Sequence, residues 1–345
     1  MKKLIKIVLY NTITLLFLLI LINFIFVFSS KKIVNQKKNF NRSYMSLLDN
    51  FYHKFYSDSY FSLDKNYIAV IGDSMIAGDG DAWVGNKYNY SSLHFLKKKT
   101  NKNFINFGIA GSSLPLQLNN YSQDISILKK FPFNIKAKPE KILIFFTEQN
   151  DVSDNLQENF INSSYNLNRE INIYFPIITF IKKYSYNLTA NIYLKFKKTF
   201  FAELHKKQVE SFYENLQPDS LINIEEKDII KAVKIFESSL INFINKTDID
   251  IEIFYIPSPT TILPLVSLKK YNIDNIDKKN NDMKSSLLED KIKNIVIKYG
   301  INFHSLTFDF KNSPYVDQIY GSNDIQHFNE LGYKLMGEFV FKRLN

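Results

Sequence analysis

The feature that most restricts how this chain can fold is a series of short apolar runs, each closed by a turn and separated from the next by helical stretches. Tyr67 to Ile71 leads into Gly72-Asp73-Ser74, and Phe104 to Phe107 ends at Gly108. Lys141 to Phe146 is strongly apolar, Ile251 to Ile256 is followed by Pro257 and Pro259, and Ile301 to Phe303 forms a fifth run. Runs this short and apolar suit strands buried on both faces. Between them, Lys227 to Phe243 repeats its apolar residues at three- and four-residue spacing, and Leu331 to Leu344 reads as a terminal helix. Strands alternating with helices predict a mostly parallel sheet covered on both sides, a three-layer α/β/α sandwich. No internal repeat is visible.

The N-terminal part has another character. Ile7 to Ser29 is a run of Ile, Leu, Val and Phe interrupted by Asn11, Thr12, Thr14 and Asn23, with lysines on both sides. As a helix it is long enough to cross a hydrocarbon core of ~30 Å. A cleaved signal peptide is the alternative, but the run is long for one and no A-x-A site follows. We therefore expect a membrane anchor over residues 1–33, a stalk over 34–66, and the main domain over 67–345. A lone apolar segment behind a short basic N-terminus reads as a signal anchor with its domain exported, although the lysine and arginine count near its ends favours the opposite orientation.

Charge adds a restriction. The chain carries +10, and its first 48 residues hold eight basic residues and no acid, so the remainder carries only +2. A nearly neutral domain argues against general nucleic-acid binding. With no cysteine, disulfides, thiolate catalysis and cysteine-based metal sites are excluded.

Four motifs carry possible chemistry. In Ala69-Val70-Ile71-Gly72-Asp73-Ser74-Met75 a strand ends in a tight turn that lifts a hydroxyl above the sheet. The same residues also suit a helix cap. In Asn106-Phe107-Gly108-Ile109-Ala110-Gly111-Ser112-Ser113, Gly111 can present an unobstructed N–H to a developing oxyanion, or simply make a turn. Phe146-Thr147-Glu148-Gln149-Asn150-Asp151 follows the most apolar strand, and the Asn150 amide can donate to the same oxyanion or cap a helix. In Asp324-Ile325-Gln326-His327, the histidine can take a proton from a serine while Asp324 fixes its tautomer. His53, His94, His205 and His304 lack such a context.

Together, in this order, the motifs resemble the SGNH (GDSL) hydrolase superfamily from about Tyr67 to the C-terminus, a long insertion apart. The resemblance implies a flavodoxin-like short parallel sheet and acyl transfer through a serine ester. It implies Ser74 as nucleophile, His327 and Asp324 as its partners, and an oxyanion hole from the Ser74 N–H, Gly111 and Asn150. No metal or organic cofactor is implied. The third motif departs from the family's Gly-x-Asn-Asp by carrying Glu148, whose bulkier side chain is expected to narrow the pocket or touch substrate. Ile256-Pro257-Ser258-Pro259 looks like a stretch of anchored SGNH proteins associated with bacterial surface polysaccharides. The expected substrate is therefore an acylated envelope carbohydrate, with a lipid ester or a non-catalytic polysaccharide-binding role as alternatives. Trp83, the single tryptophan, suits either stacking on a sugar ring or packing.

The insertion is expected at about residues 152–250. Within it, Ile171 to Lys207 carries +6 among many aromatics, which suits helices with solvated lysines or a surface for an anionic membrane or acidic glycan.

Overall fold

In the computed structural model, the structure describes residues 14, 66–78, 80, 90–108, 112–128, 138–162, 216–321 and 324–344. Five parallel strands form one sheet in the order β2-β1-β3-β4-β5. These are β1 (Tyr67–Ile71), β2 (Phe104–Asn106), β3 (Pro139–Thr147), β4 (Asp250–Ile256) and β5 (Asn302–Ser305). All five apolar runs are strands, with ends shifted by a residue or two. The sheet is built outward from β1 in both directions, so β1 and β3 flank the point where strand order reverses. Open parallel sheets hold their ligands in the crevice beyond the carboxyl ends of the strands at such a point.

Alternation along the strands sorts the core into two layers. Tyr67, Ala69, Ile71, Ile142, Ile144, Phe146, Ile253 and Tyr255 face one side. There they meet α3 (Leu114–Leu128), α4 (Glu148–Asn162), α5 (Glu226–Ile244) and α8 (Asn275–Lys298). Ile68, Val70, Leu143, Phe145, Phe254 and Ile256 face the other. Their partners include α2 (Ser92–Thr100), α6 (Pro259–Ile262) and the terminal helix, α10 (Glu330–Leu344). The short α1 (Ser74–Ala77), α7 (Leu265–Leu268) and α9 (Thr307–Lys311) complete the described helices. Phe146 shows why the layers hold: it is fully buried, edge-on to Phe236 of α5 and stacked on Tyr255 of β4. Burying one such ring contributes about 1.5–3 kcal/mol.

Helix α8 has weak sequence periodicity because its buried stripe contains Asn281 and Ser285 beside Leu288, Ile292 and Val296. Its start is nevertheless well specified. The Asp274 carboxylate accepts from the Ile276 and Asp277 amides in a capping box, a local signature of a helix N-terminus.

The insertion is narrower than expected. Val152 and, from α5, Ile229, Ala232, Phe236 and Leu240 belong to the sheet's own covering layer. They are needed to bury β3 and β4, so the segments flanking the insertion are part of the sandwich. Residues 163–215, including Ile171 to Lys207, lie outside the described residues. So do the anchor and stalk, Thr14 and Asn66 excepted; among the described residues no helix is long and apolar enough to cross a membrane.

Candidate active site

The site is assembled from three loops at the carboxyl end of the sheet. After β1 the chain turns at once into α1. A Cβ on Gly72 would lie 2.4 Å from Cγ1 of Ile76, so only glycine permits the turn to fold this tightly onto its own helix. Asp73 caps that helix, its Oδ1 accepting from the Met75 N–H at 3.0 Å. Ser74 is therefore the first helical residue. First-turn amides have no partner within a helix, so the Ser74 N–H is not used by α1 itself.

The loop before α10 is a self-bonded turn. Asp324 Oδ1 accepts from the Gln326 and His327 amides at 3.1 and 3.2 Å. Its Oδ2 bonds His327 Nδ1 at 2.7 Å, and His327 Nε2 lies 2.8 Å from Ser74 Oγ. Ser74, His327 and Asp324 thus form one continuous chain of hydrogen bonds. Asp324 and Ser74 are buried, whereas one fifth of the His327 side chain is exposed. The turn is held from both sides. The Asn329 amide donates to Gln318 O at 2.6 Å and Tyr320 O at 2.9 Å, while Phe328 is fully buried among Phe310, Tyr320 and Tyr333. Gly80 backs the same loop at φ +131°, where a Cβ would lie 2.8 Å from Phe328 O and 3.2 Å from His327 Cβ.

The loop after β3 brings in Asn150. Its amide donates to Asp73 Oδ2 at 2.6 Å, so the residue before the serine holds the asparagine in place. An amide nitrogen carries two hydrogens, which leaves one for another acceptor. Asp151 ties two loops together: its carboxylate accepts from Thr147 N at 2.6 Å and from Leu114 N at 3.2 Å, at the start of α3. Asn106 does the same between β2 and α1, donating to Ile76 O and accepting from Gly108 N, both at 2.7 Å. Gly111 and Trp83 lie outside the described residues.

Glu148 does not have the place its sequence position suggested. It is fully buried, accepting from Ser258 N at 2.5 Å and from the Thr261 hydroxyl at 2.8 Å. Thr261 in turn accepts from Asn281, whose carbonyl accepts from Leu221 N. Glu148 therefore braces the carboxyl end of β4 against α8 and has no surface with which to meet a substrate.

The electrostatics are those of a buried carboxylate group. Burial pushes Asp73 up, against the opposing effects of Asn150, His327 and the Met75 N–H. Asp151 is held well above the usual carboxylate range by burial and by the neighbouring Asp73. Burial first, then Asp73, pushes Asp154 up to about 6. Burial pushes Asp219 up to about 7; His327 opposes the shift, and Asp73, Asp324 and Asp154 add to it. Glu148 is also raised by burial, against its Ser258, Ser285 and Thr261 partners. Neither Asp154 nor Asp219 belongs to a recognisable motif. Asp154 lies one helical turn beyond Asn150, and Asp219 arrives from the far end of the insertion. No group of three or more His, Asp or Glu among the described residues is arranged to hold a metal ion.

No family model and no curated protein sequence matches the chain. Several solved structures are similar at low identity. A lipase/acylhydrolase from Enterococcus faecalis is 13% identical, covering 81% of this chain and 95% of that one, with a TM-score of 0.40. A putative lipolytic protein of the G-D-S-L family from Desulfitobacterium hafniense is 13% identical, covering 81% and 99%, at 0.36. A carbohydrate acetylesterase family member from Sinorhizobium meliloti is 11% identical, covering 81% and 97%, at 0.39.

Proposed function

We propose that this chain is an ester hydrolase or acyltransferase of the SGNH class, acting on an O-acyl group of an envelope carbohydrate. The observation that carries this reading is the hydrogen-bond chain from Ser74 Oγ through His327 to Asp324, at 2.8 and 2.7 Å. A serine hydroxyl is a poor nucleophile at neutral pH and needs a base within this range. In the proposed reaction His327 takes the Ser74 proton as Oγ attacks the acyl carbonyl. Asp324 holds the ring and stabilises the imidazolium. The Ser74 N–H and the second Asn150 N–H receive the negative charge on the carbonyl oxygen, the step at which such sites usually gain most. Gly111, by the family resemblance, adds a third donor. His327 then protonates the departing alcohol, and water or a glycan hydroxyl takes the acyl group from Ser74.

The choice of carbohydrate rests on the anchor-like N-terminus and on the Ile256-Pro257-Ser258-Pro259 stretch. With that anchor the domain is proposed to be exported, and protease added to intact spheroplasts then removes it. Full protection until lysis reverses the topology.

The decisive experiment compares the wild type with Ser74→Ala on 4-nitrophenyl acetate, acetylated glycans and lipid esters, alongside labelling by a fluorophosphonate. Turnover and labelling that depend on Ser74 are expected, with glycan esters preferred. A preference for lipid esters moves the substrate class. Absence of both turnover and labelling leaves a non-catalytic role on the same scaffold.

A further inference from the structure

The segment 216–220 enters the site from outside all four motifs. The Gln326 side chain donates to Gln217 O at 3.1 Å, and Thr260 N donates to Asp219 O at 3.3 Å. Asp219 is therefore suspended between the loop that carries His327 and the loop that follows β4. Its side chain is half-buried, and no hydrogen bond to its carboxyl is made among the described residues. Among the described residues, the charged groups that act on it come from three elements. They are His327 and Asp324 on the terminal loop, Asp73 after β1 and Asp154 on α4, and the buried phenol of Tyr320 also feels its charge. Asp154 Oδ2 is itself buried without a hydrogen-bond partner among the described residues. Of these two carboxyl groups, that of Asp219 keeps surface of its own, and the described protein groups leave its acceptor capacity unfilled.

We propose that Asp219 is the specificity-determining carboxylate of this site, accepting a hydrogen bond from a hydroxyl on a neutral, polyhydroxylated alcohol and rejecting esters whose alcohol part is anionic. This rests on the esterase reading above and narrows it to one substrate class. A carboxylate in a partly desolvated cleft bonds strongly to a hydroxyl donor, while a second anion placed there is repelled by Asp219 together with Asp73, Asp324 and Asp154. The discrimination depends on pH. Burial and the neighbouring carboxylates push Asp219 up to about 7. Above that pH it is charged and selective; below it the carboxyl is neutral and the penalty on anionic esters fades.

The test uses the full chain and a ratio of kcat/KM for two esters, 3-acetoxybenzoate and its neutral methyl ester. Ionisation of His327 affects both esters, so it cancels from the ratio. In the wild type, the neutral ester is expected to be preferred about tenfold more strongly at pH 8 than at pH 5.5. Asp219→Asn should remove most of that difference. For glycerol monoacetate, Asp219→Ala should raise KM about tenfold with kcat nearly unchanged. A wild-type ratio independent of pH overturns the inference even if neither variant folds. A ratio unchanged by Asp219→Asn, or an equal fall on every ester, overturns it too. If the wild type is active and only the ratio fails to respond, the esterase reading stands and the role of Asp219 falls. If the wild type turns over neither ester, the esterase reading falls and takes this inference with it.

Discussion

The carboxylate of Asp73 accepts the amide of Asn150 at 2.6 Å, so the residue preceding Ser74 also aims the asparagine delivered by the next strand but one. The two ends of the proposed oxyanion site are thereby locked across the point where the sheet reverses its order. Asp73→Asn leaves one neutral acceptor where a carboxylate served both Asn150 and the Met75 N–H. A fall in kcat of about 10–100-fold with KM within threefold is expected, because a donor that moves off the oxyanion weakens the transition state rather than ground-state binding. Steady-state kinetics on 4-nitrophenyl acetate decides it; a raised KM at constant kcat would contradict the role.

Gly80 is expected to tolerate no side chain. At φ +131°, with Phe328 O 2.8 Å from a built Cβ, Gly80→Ala must either strain the backbone or displace the loop that carries His327. Misplacing a catalytic group by ~1 Å is enough for about a 100-fold loss. The measurement is kcat alongside circular dichroism; native spectra with undiminished kcat would show that the loop yields without moving His327.

Glu148 bears on stability rather than on substrate. Glu148→Ala strips the Ser258 N–H of its acceptor in a fully buried setting and leaves a cavity. A loss of about 2–4 kcal/mol in denaturant unfolding is expected, with KM on a small ester unchanged. A shifted KM with unchanged stability would restore the substrate contact first expected of this position.

Asp219 and Asp154 should make the protein less stable as pH rises. Their folded-state values, pushed up to about 7 and about 6 mainly by burial, lie above the ordinary aspartate range. Their stabilising contribution is thus fully present below about 4 and is lost as pH rises through the folded values. Asp219→Asn should match the wild type in thermal melts at pH 4 and melt higher at pH 8. Asp154 keeps part of the slope in the variant. Parallel melting curves across that range would show that Asp219 is solvated rather than desolvated.

Much of this molecule is written in local patterns. The strands are visible because a strand buried on both faces has to be apolar throughout, as Ile142 to Phe146 is. Ser74, Asn150, Asp324 and His327 are visible because each follows a strand or precedes a helix in a short, recognisable string. Asp324 and His327 even find each other locally, across a separation of only three positions.

The rest depends on contacts that sequence distance conceals. Glu148 looks like a pocket residue because it neighbours the Asn150 motif, yet its partners Ser258 and Thr261 lie over a hundred positions away and draw it into the interior. Helix α8 hides because its buried stripe is partly polar, and Asn281 becomes favourable there only when Leu221 and Thr261 supply its hydrogen bonds. Asp219 has no motif at all. By itself the sequence determined the alternating α/β order and the order of the four motifs. The tertiary structure alone decided which buried carboxylates surround the serine, because burial and charge proximity are properties of the packed chain and leave no periodic trace along it.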